Sequence, residues 1–257
     1  MLTQLRKEAP LVHCITNDVV ASYTANCLLA VGAAPAMIPD PNEARQFAAV
    51  ASALLINVGT ITEAQADAMR AAVDSANSAG RPWVLDPVAV GALTLRTSLA
   101  NELKLKMPAL IRGNASEIIA LAGFKASGRG VDSTAAVDEA REAASMLAEE
   151  TGAAVLVTGP VDIAVSRGKP VVSISNGTPL MTRVTGVGCA QGAICAALAT
   201  LSEDKHAVAV ATALVMAVAG DMAAEKTSRP GSFQIALLDA LDAVGAEELV
   251  SRGKVAL

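Results

Sequence analysis

The run Arg183-Val184-Thr185-Gly186-Val187-Gly188-Cys189-Ala190 leads into Gln191-Gly192-Ala193-Ile194-Cys195-Ala196-Ala197-Leu198-Ala199, placing two glycines and a thiol where an apolar helix starts. Backbone N–H groups in the first turn of a helix have no intrahelical partners, and they can hold a phosphoryl group as negative charge gathers on it. The same run also fits a small-residue turn before a buried helix, with Cys189 as a packing thiol. A dinucleotide fingerprint would be G-x-G-x-x-G early in a βαβ unit, with an acidic residue about 20 positions later. Here the turn is late and reads G-V-G-C-A-Q-G, and no glycine-rich turn runs into Gly-Lys-Ser/Thr.

A second set of residues offers charge. Asp86 closes the apolar run Trp83-Val84-Leu85 ahead of Pro87, and Glu117 falls on the first turn of the helix after Arg112-Gly113-Asn114. A hard divalent cation takes carboxylate, water and phosphate oxygens, so two carboxylates at neighbouring strand ends can hold hydrated Mg²⁺ beneath a nucleotide's phosphates. Local roles are also open: Asp86 as a backbone cap and Glu117 as a charge at a helix N-terminus. The Arg112 guanidinium either bridges phosphate oxygens or pairs internally with an acid. Thr158, before Gly159-Pro160, either bonds a phosphate or terminates its strand. Asn17, which ends His13-Cys14-Ile15-Thr16-Asn17, is an N-cap or a ligand donor, and Met37 fills either a shallow apolar pocket or core.

The elements that position these residues are legible as alternating apolar runs. Asn17 to Val31 predicts a helix ended by Gly32, followed by an extended Pro35-Ala36-Met37-Ile38. Leu54 to Gly59 predicts a buried strand, and Thr62 with Glu63 starts a helix towards Gly80. Strands are expected at Trp83–Val88, Ala109–Arg112 and Ala154–Thr158, and helices at Ala115–Leu121 and Ser133–Glu150. Asp162–Val165 and Val171–Ile174 predict an antiparallel hairpin. Helices follow over roughly 189–201, 205–224 and 232–243. This alternation predicts one α/β domain over residues 1–257, with a mostly parallel central sheet in a three-layer α/β/α arrangement and ligands beyond the C-terminal strand ends. Asn57, Asp86, Arg112, Asn114, Glu117, Thr158 and the 185–189 turn all converge there.

Composition narrows the function classes. Hydrophobic residues make up 53% of the 257-residue chain and aromatics only 2%, so the core must come from Ala, Val, Leu, Ile and Met. The net charge of -5 and the lack of a basic block argue against a nucleic-acid partner. Charges in Met1–Glu8 interrupt any signal-peptide apolar segment, and the other apolar runs read as short or punctuated, so a cytoplasmic protein with no membrane partner is expected. Cys14, Cys27, Cys189 and Cys195 lack C-x-x-C spacing, and with two histidines a zinc cluster is not expected.

Over essentially its whole length the sequence resembles the hydroxyethylthiazole kinases, in the ribokinase-like superfamily. The resemblance rests on His13-Cys14-Ile15-Thr16-Asn17, the block Ala25–Met37, Asp86-Pro87-Val88, Arg112-Gly113-Asn114-Ala115-Ser116-Glu117, Thr158-Gly159 with Asp162, Thr185-Gly186-Val187-Gly188-Cys189, and Arg229-Pro230-Gly231-Ser232-Phe233. It implies a ribokinase-like fold and transfer of the γ-phosphate of ATP to the hydroxyl of 4-methyl-5-(2-hydroxyethyl)thiazole, in thiamine biosynthesis and salvage. It also implies Asp86 and Glu117 as Mg²⁺-associated carboxylates, Arg112 and Thr158 as nucleotide contacts, and Asn17, Val19, Met37 and Gly186 as thiazole contacts. Cys189 stands where many ribokinase-like enzymes have a catalytic aspartate; its helix N-terminal position predicts a lowered thiol pKa. A homotrimer with intersubunit sites is implied as well. One departure is Ala89, where the family usually has glycine. A kinase for hydroxymethylpyrimidine or its phosphate, and a nucleotide-binding regulator without catalysis, are the competing functions.

Overall fold

The computed structural model describes residues 1–124 and 134–257, so the expected helix start at Ser133 lies outside the described residues. Along the chain run α1 (Leu2–Glu8), β1 (Leu11–Ile15), α2 (Ala21–Val31), β2 (Ala34–Met37), α3 (Pro41–Val50), β3 (Ala53–Asn57), α4 (Glu63–Ser78), β4 (Trp83–Asp86), α5 (Thr94–Leu103), β5 (Leu110–Asn114) and α6 (Ala115–Leu121). Then come α7 (Thr134–Thr151), β6 (Ala154–Thr158), β7 (Asp162–Val165), β8 (Val172–Ile174), α8 (Val187–Ala199), α9 (Lys205–Lys226), α10 (Pro230–Ala243), α11 (Ala246–Arg252) and β9 (Val255–Ala256). The strands form one sheet in the order β2-β1-β3-β4-β5-β6-β7-β8-β9. From β2 to β6 every pairing is parallel; β7 and β8 continue antiparallel, as the hairpin expectation has it, and β9, which was not expected, adds a further antiparallel strand.

Period-two alternation assigns the strand residues to two cores. Leu55, Val84, Leu110 and Leu156 face one layer with α2, α8, α9 and α10, while Leu54, Leu85, Ile111 and Val155 face the other with α3, α4 and α7. Parallel strands covered on both faces are apolar throughout, which is why runs such as Ala53-Leu54-Leu55-Ile56 are legible as buried strands. Each fully buried Leu or Ile contributes about 1.5–3 kcal/mol relative to exposure. With few aromatics, the layers close by approach of small residues: Ala193, Ala196 and Ala197 of α8, and Ala213, Ala217 and Ala219 of α9, are buried.

Several boundaries differ from the sequence expectation. Helix α2 begins at Ala21 rather than Asn17, because residues 17–20 form a turn closed by Val20 N–H to Asn17 O at 3.3 Å. Asn17 is therefore not an N-cap; its side chain is engaged elsewhere. Helix α4 starts as expected, with a reciprocal capping box between Thr62 and Gln65. Among the described residues, α9 is a 22-residue helix long and apolar enough to cross a membrane, contrary to the expectation of short or punctuated runs. Its Val208, Met216 and Val218 are buried against the sheet and neighbouring helices, so its apolar character is that of a core helix.

Candidate functional site

Asn57, Asp86, Arg112 and Thr158 share the strand parity of Leu55, Val84, Leu110 and Leu156, so all four side chains leave the C-terminal part of the sheet on the α8 side. Asn57 and Asp86 are direct register partners across β3 and β4. The row lies beneath the N-terminus of α8, whose N-cap Gly186 has φ 96° with no side-chain cap. A residue with a Cβ is strained at that backbone angle, and its Cβ would also sit 3.0 Å from the Tyr23 ring. The N–H groups of Val187, Gly188 and Cys189 precede the first intrahelical bond, from Ala190 N–H to Gly186 O at 2.8 Å.

Two further glycines of α8, one turn apart, make room for the charged row. A Cβ on Gly188 would stand 2.9 Å from Nη2 of Arg112, and one on Gly192 would stand 3.2 Å from Oδ2 of Asp86. The helix therefore lies directly on this ion pair. Arg112, 7% exposed, donates from Nε to Gln191 Oε1 at 3.0 Å and from Nη2 to Thr158 Oγ1 at 3.1 Å, and its Nη1 lies 3.5 Å from Asp86 Oδ1. Of the two roles open to Arg112 in the sequence, the internal ion pair is formed. These contacts engage three of its five N–H donors.

Asp86 is fully buried. Its Oδ2 accepts from Asn57 Nδ2 at 2.6 Å, while Oδ1 has no hydrogen bond. Burial pushes its carboxyl up to about 7; Arg112 opposes this, the Glu117 charge reinforces it, and the Asn57 bond opposes it. Asp86 caps no backbone group with its side chain, so the local role considered for it is not formed. Glu117 does take a local role: Oε2 accepts from Asn114 N–H at 2.9 Å, and Asn114 Oδ1 accepts from Glu117 N–H at 3.0 Å, a capping box on α6. Its Oε1 reaches across to Ala89 N–H at 2.9 Å, joining the β4 and β5 loops. Ala89, where the resemblance leads one to expect glycine, has φ 56°, so this turn adopts the left-handed conformation despite the methyl group.

At the other end of the row, Asn17 donates from Nδ2 to Asn57 Oδ1 at 3.1 Å and to Cys189 Sγ at 3.5 Å. Cys189 is half-buried. Its thiol is pushed up to about 11, first by burial and then by the negative Asp86, with Asn57, Arg112 and Asn17 pulling part of the way back. The expected lowering of this pKa is thus overturned: loss of hydration and a neighbouring carboxylate outweigh the helix terminus. Cys14, Cys27 and Cys195 are buried free thiols in the core.

Met37 ends β2, paired in register with Cys14, and packs half-buried against the α8-side core. Val19 is not drawn into the row; it is 68% exposed on the turn before α2. Two participants carried no assigned role in the sequence. Gln191 holds Arg112 from a helix that is otherwise apolar, and its polarity within Val187–Ala199 is the signal. Asn57 joins both ends of the row, and its position after Ala53-Leu54-Leu55-Ile56 is the signal. Asp162, at the start of β7, accepts from Gly159 N–H at 3.0 Å; burial raises its carboxyl to about 6.

Among the described residues no three His, Cys, Asp or Glu side chains gather into a ready cation cage. Asp86 and Glu117, near enough for the Glu117 charge to raise the Asp86 pKa, offer hard oxygens suited to a cation that keeps its water and shares phosphate ligands. A separate cavity of about 510 Å³ opens at the opposite end of the sheet, lined by Pro10, Ser52 and Pro82 at the N-terminal strand ends and by Thr200 after α8.

Known proteins align with this chain throughout. A hydroxyethylthiazole kinase from Klebsiella pneumoniae (strain 342) is 58% identical over 237 residues, which cover 92% of this chain and 91% of that protein. The solved structure of a hydroxyethylthiazole kinase protein from Pyrococcus horikoshii OT3 superposes with a TM-score of 0.91 at 34% identity, covering 99% of this chain and 96% of the other. A Bacillus subtilis pyridoxal kinase in an ADP complex shares the ribokinase-like fold with a TM-score of 0.59 at 17% identity, over 81% of this chain and 90% of that one. The model of the hydroxyethylthiazole kinase family matches residues 2–247, and the chain belongs to that family.

Proposed function

We propose that this chain transfers the γ-phosphoryl group of ATP to the hydroxyl of 4-methyl-5-(2-hydroxyethyl)thiazole, in thiamine biosynthesis and salvage. The observation that carries this reading is the convergence of Asn17, Cys189, Arg112 and Asp86 beneath the open N-terminus of α8, in a chain of this family. The N–H groups of Val187, Gly188 and Cys189 receive the charge that builds on the moving phosphoryl. Arg112 and Thr158 serve the nucleotide phosphates, the guanidinium by turning an unengaged N–H outward. Asn17 and Cys189, hydrogen-bonded from Nδ2 to Sγ at 3.5 Å, stand side by side as the polar pair beside which the acceptor hydroxyl binds. With its pKa near 11, Cys189 orients that hydroxyl as a neutral thiol. Attack on an ATP phosphorus through a loose transition state needs little early deprotonation, so a strong base is unnecessary.

Asp86 and Glu117 are the residues that would hold Mg²⁺. The buried Oδ1 of Asp86, with no hydrogen bond and only a 3.5 Å ionic contact to Arg112, suits that task, and each Glu117 oxygen accepts one backbone N–H and keeps further acceptor capacity. When bound, the ion neutralises phosphate charge. Met37, Gly186 and Val19 line the thiazole side. The exposure of Val19 fits a homotrimer in which a neighbouring copy covers it and closes the acceptor pocket. The use of ATP as phosphoryl donor supports a cytoplasmic location.

Purified protein, ATP and Mg²⁺, mixed with a panel of thiazole and pyrimidine alcohols, test the reading. ADP and the phosphate ester of the thiazole alcohol are the expected products. Preferential phosphorylation of hydroxymethylpyrimidine would move the acceptor class, and ATP binding with no ADP from any alcohol would contradict catalysis.

A further inference from the structure

We propose that Asn57 is a positioning residue that locks the carboxylate end of the site to its acceptor end. The inference rests on the kinase reading above and concerns a residue to which that reading gives no task. Asn57 is 1% exposed at the C-terminal end of β3, so water does not compete for its amide. Its Oδ1 accepts from Gly59 N–H at 3.1 Å, and a backbone N–H can only donate. That bond fixes the amide's orientation and leaves Nδ2 facing Asp86, where it donates to Oδ2 at 2.6 Å. The same Oδ1 accepts from Asn17 Nδ2, which in turn reaches Cys189 Sγ.

One side chain thus determines two orientations. The bond to Oδ2 leaves Asp86 Oδ1 directed at Arg112, 3.5 Å away. The bond to Oδ1 turns the Asn17 amide so that its N–H groups, and not its oxygen, face the thiol. Buried networks of this kind respond as a unit, so the two arms are energetically coupled rather than independent. Asn57 touches neither substrate in this account; it acts through Asp86 and Asn17.

The test is a mutant cycle read on the thiazole alcohol, with wild type alongside. Asn57→Ala is expected to lower kcat at least about tenfold and raise the KM for the alcohol, while the KM for ATP moves less than about threefold. Asn17→Ala alone should cost about tenfold in kcat/KM for the alcohol, and less than about threefold when Asn57 is already Ala, because the arm it breaks is then gone. Asn57→Asp keeps the shape and the acceptor oxygen but removes the donor to Asp86. It should lower kcat while leaving the alcohol KM nearer the wild-type value. This variant decides the matter if Asn57→Ala does not fold. Multiplicative effects of Asn17→Ala and Asn57→Ala, wild-type kcat in a folded Asn57 variant, or failure of both Asn57 variants to fold would each overturn the proposal. If the wild-type enzyme phosphorylates no thiazole alcohol, the failure lies with the kinase reading instead.

Discussion

Cys189 shows how far a residue's neighbours can reverse its local signal. The glycine-rich helix start favours a thiolate, but burial and Asp86 together raise the pKa to about 11. The folded protein therefore holds the neutral thiol from acid pH through pH 9, and the thiolate appears only as pH rises towards 11. Alkylation of Cys189 at pH 7.5, followed by peptide mass spectrometry, should be on the order of 100-fold slower than for an unperturbed cysteine. Labelling as fast as a free thiol would contradict the raised pKa. If Cys189 serves as the neutral hydrogen-bonding group proposed above, Cys189→Ser should keep kcat within about tenfold of wild type. A folded serine variant with no detectable phosphorylation would show the sulfur to be indispensable. The positions of Asp86, Arg112 and Cys189 were legible because polar residues interrupt apolar runs there. The raised pKa values of Asp86 and Cys189 were not, because desolvation depends on which helix covers them.

At the scale of elements, α8 carries the site through its contact with the sheet. Its two glycines one turn apart were visible as composition, but their purpose needs the register: Gly188 lies over the Arg112 guanidinium and Gly192 over the Asp86 carboxylate. In Gly188→Ala, helix propensity gains about 1 kcal/mol and crowding costs about 1–3 kcal/mol, so the net stability change should stay within about 2 kcal/mol. The displaced guanidinium should raise the KM for ATP at least fivefold. An unchanged ATP KM in this variant would remove Arg112 from the nucleotide side. Strands β3 to β6 were readable because both faces are covered and nearly every residue is apolar. Helix α3 was not singled out, since it buries only Ala44 and Ala48, although Asp40 and Pro41 mark its start. The start of α2 was misplaced because the Asn17 side chain bonds across the sheet to Asn57, a partner 40 positions away that no local pattern reveals.

Over the whole molecule, the alternation of strands and helices was enough for the three-layer class and for the antiparallel β7 and β8. The strand order was not legible, because pairing β1 between β2 and β3 is a long-range choice, and the two-residue β9 has no period to detect. We place the chemistry at the C-terminal strand ends beneath α8, not in the cavity at the opposite end of the sheet. A crystal structure with the thiazole alcohol and a non-hydrolysable ATP analogue tests it most directly. The expected result is phosphate oxygens on the N–H groups of Val187 to Cys189, the hydroxyl beside Asn17 and Cys189, and Val19 of a neighbouring copy against the thiazole ring. Nucleotide bound instead among Pro10, Ser52 and Pro82, with the α8 N-terminus left to water, would contradict it.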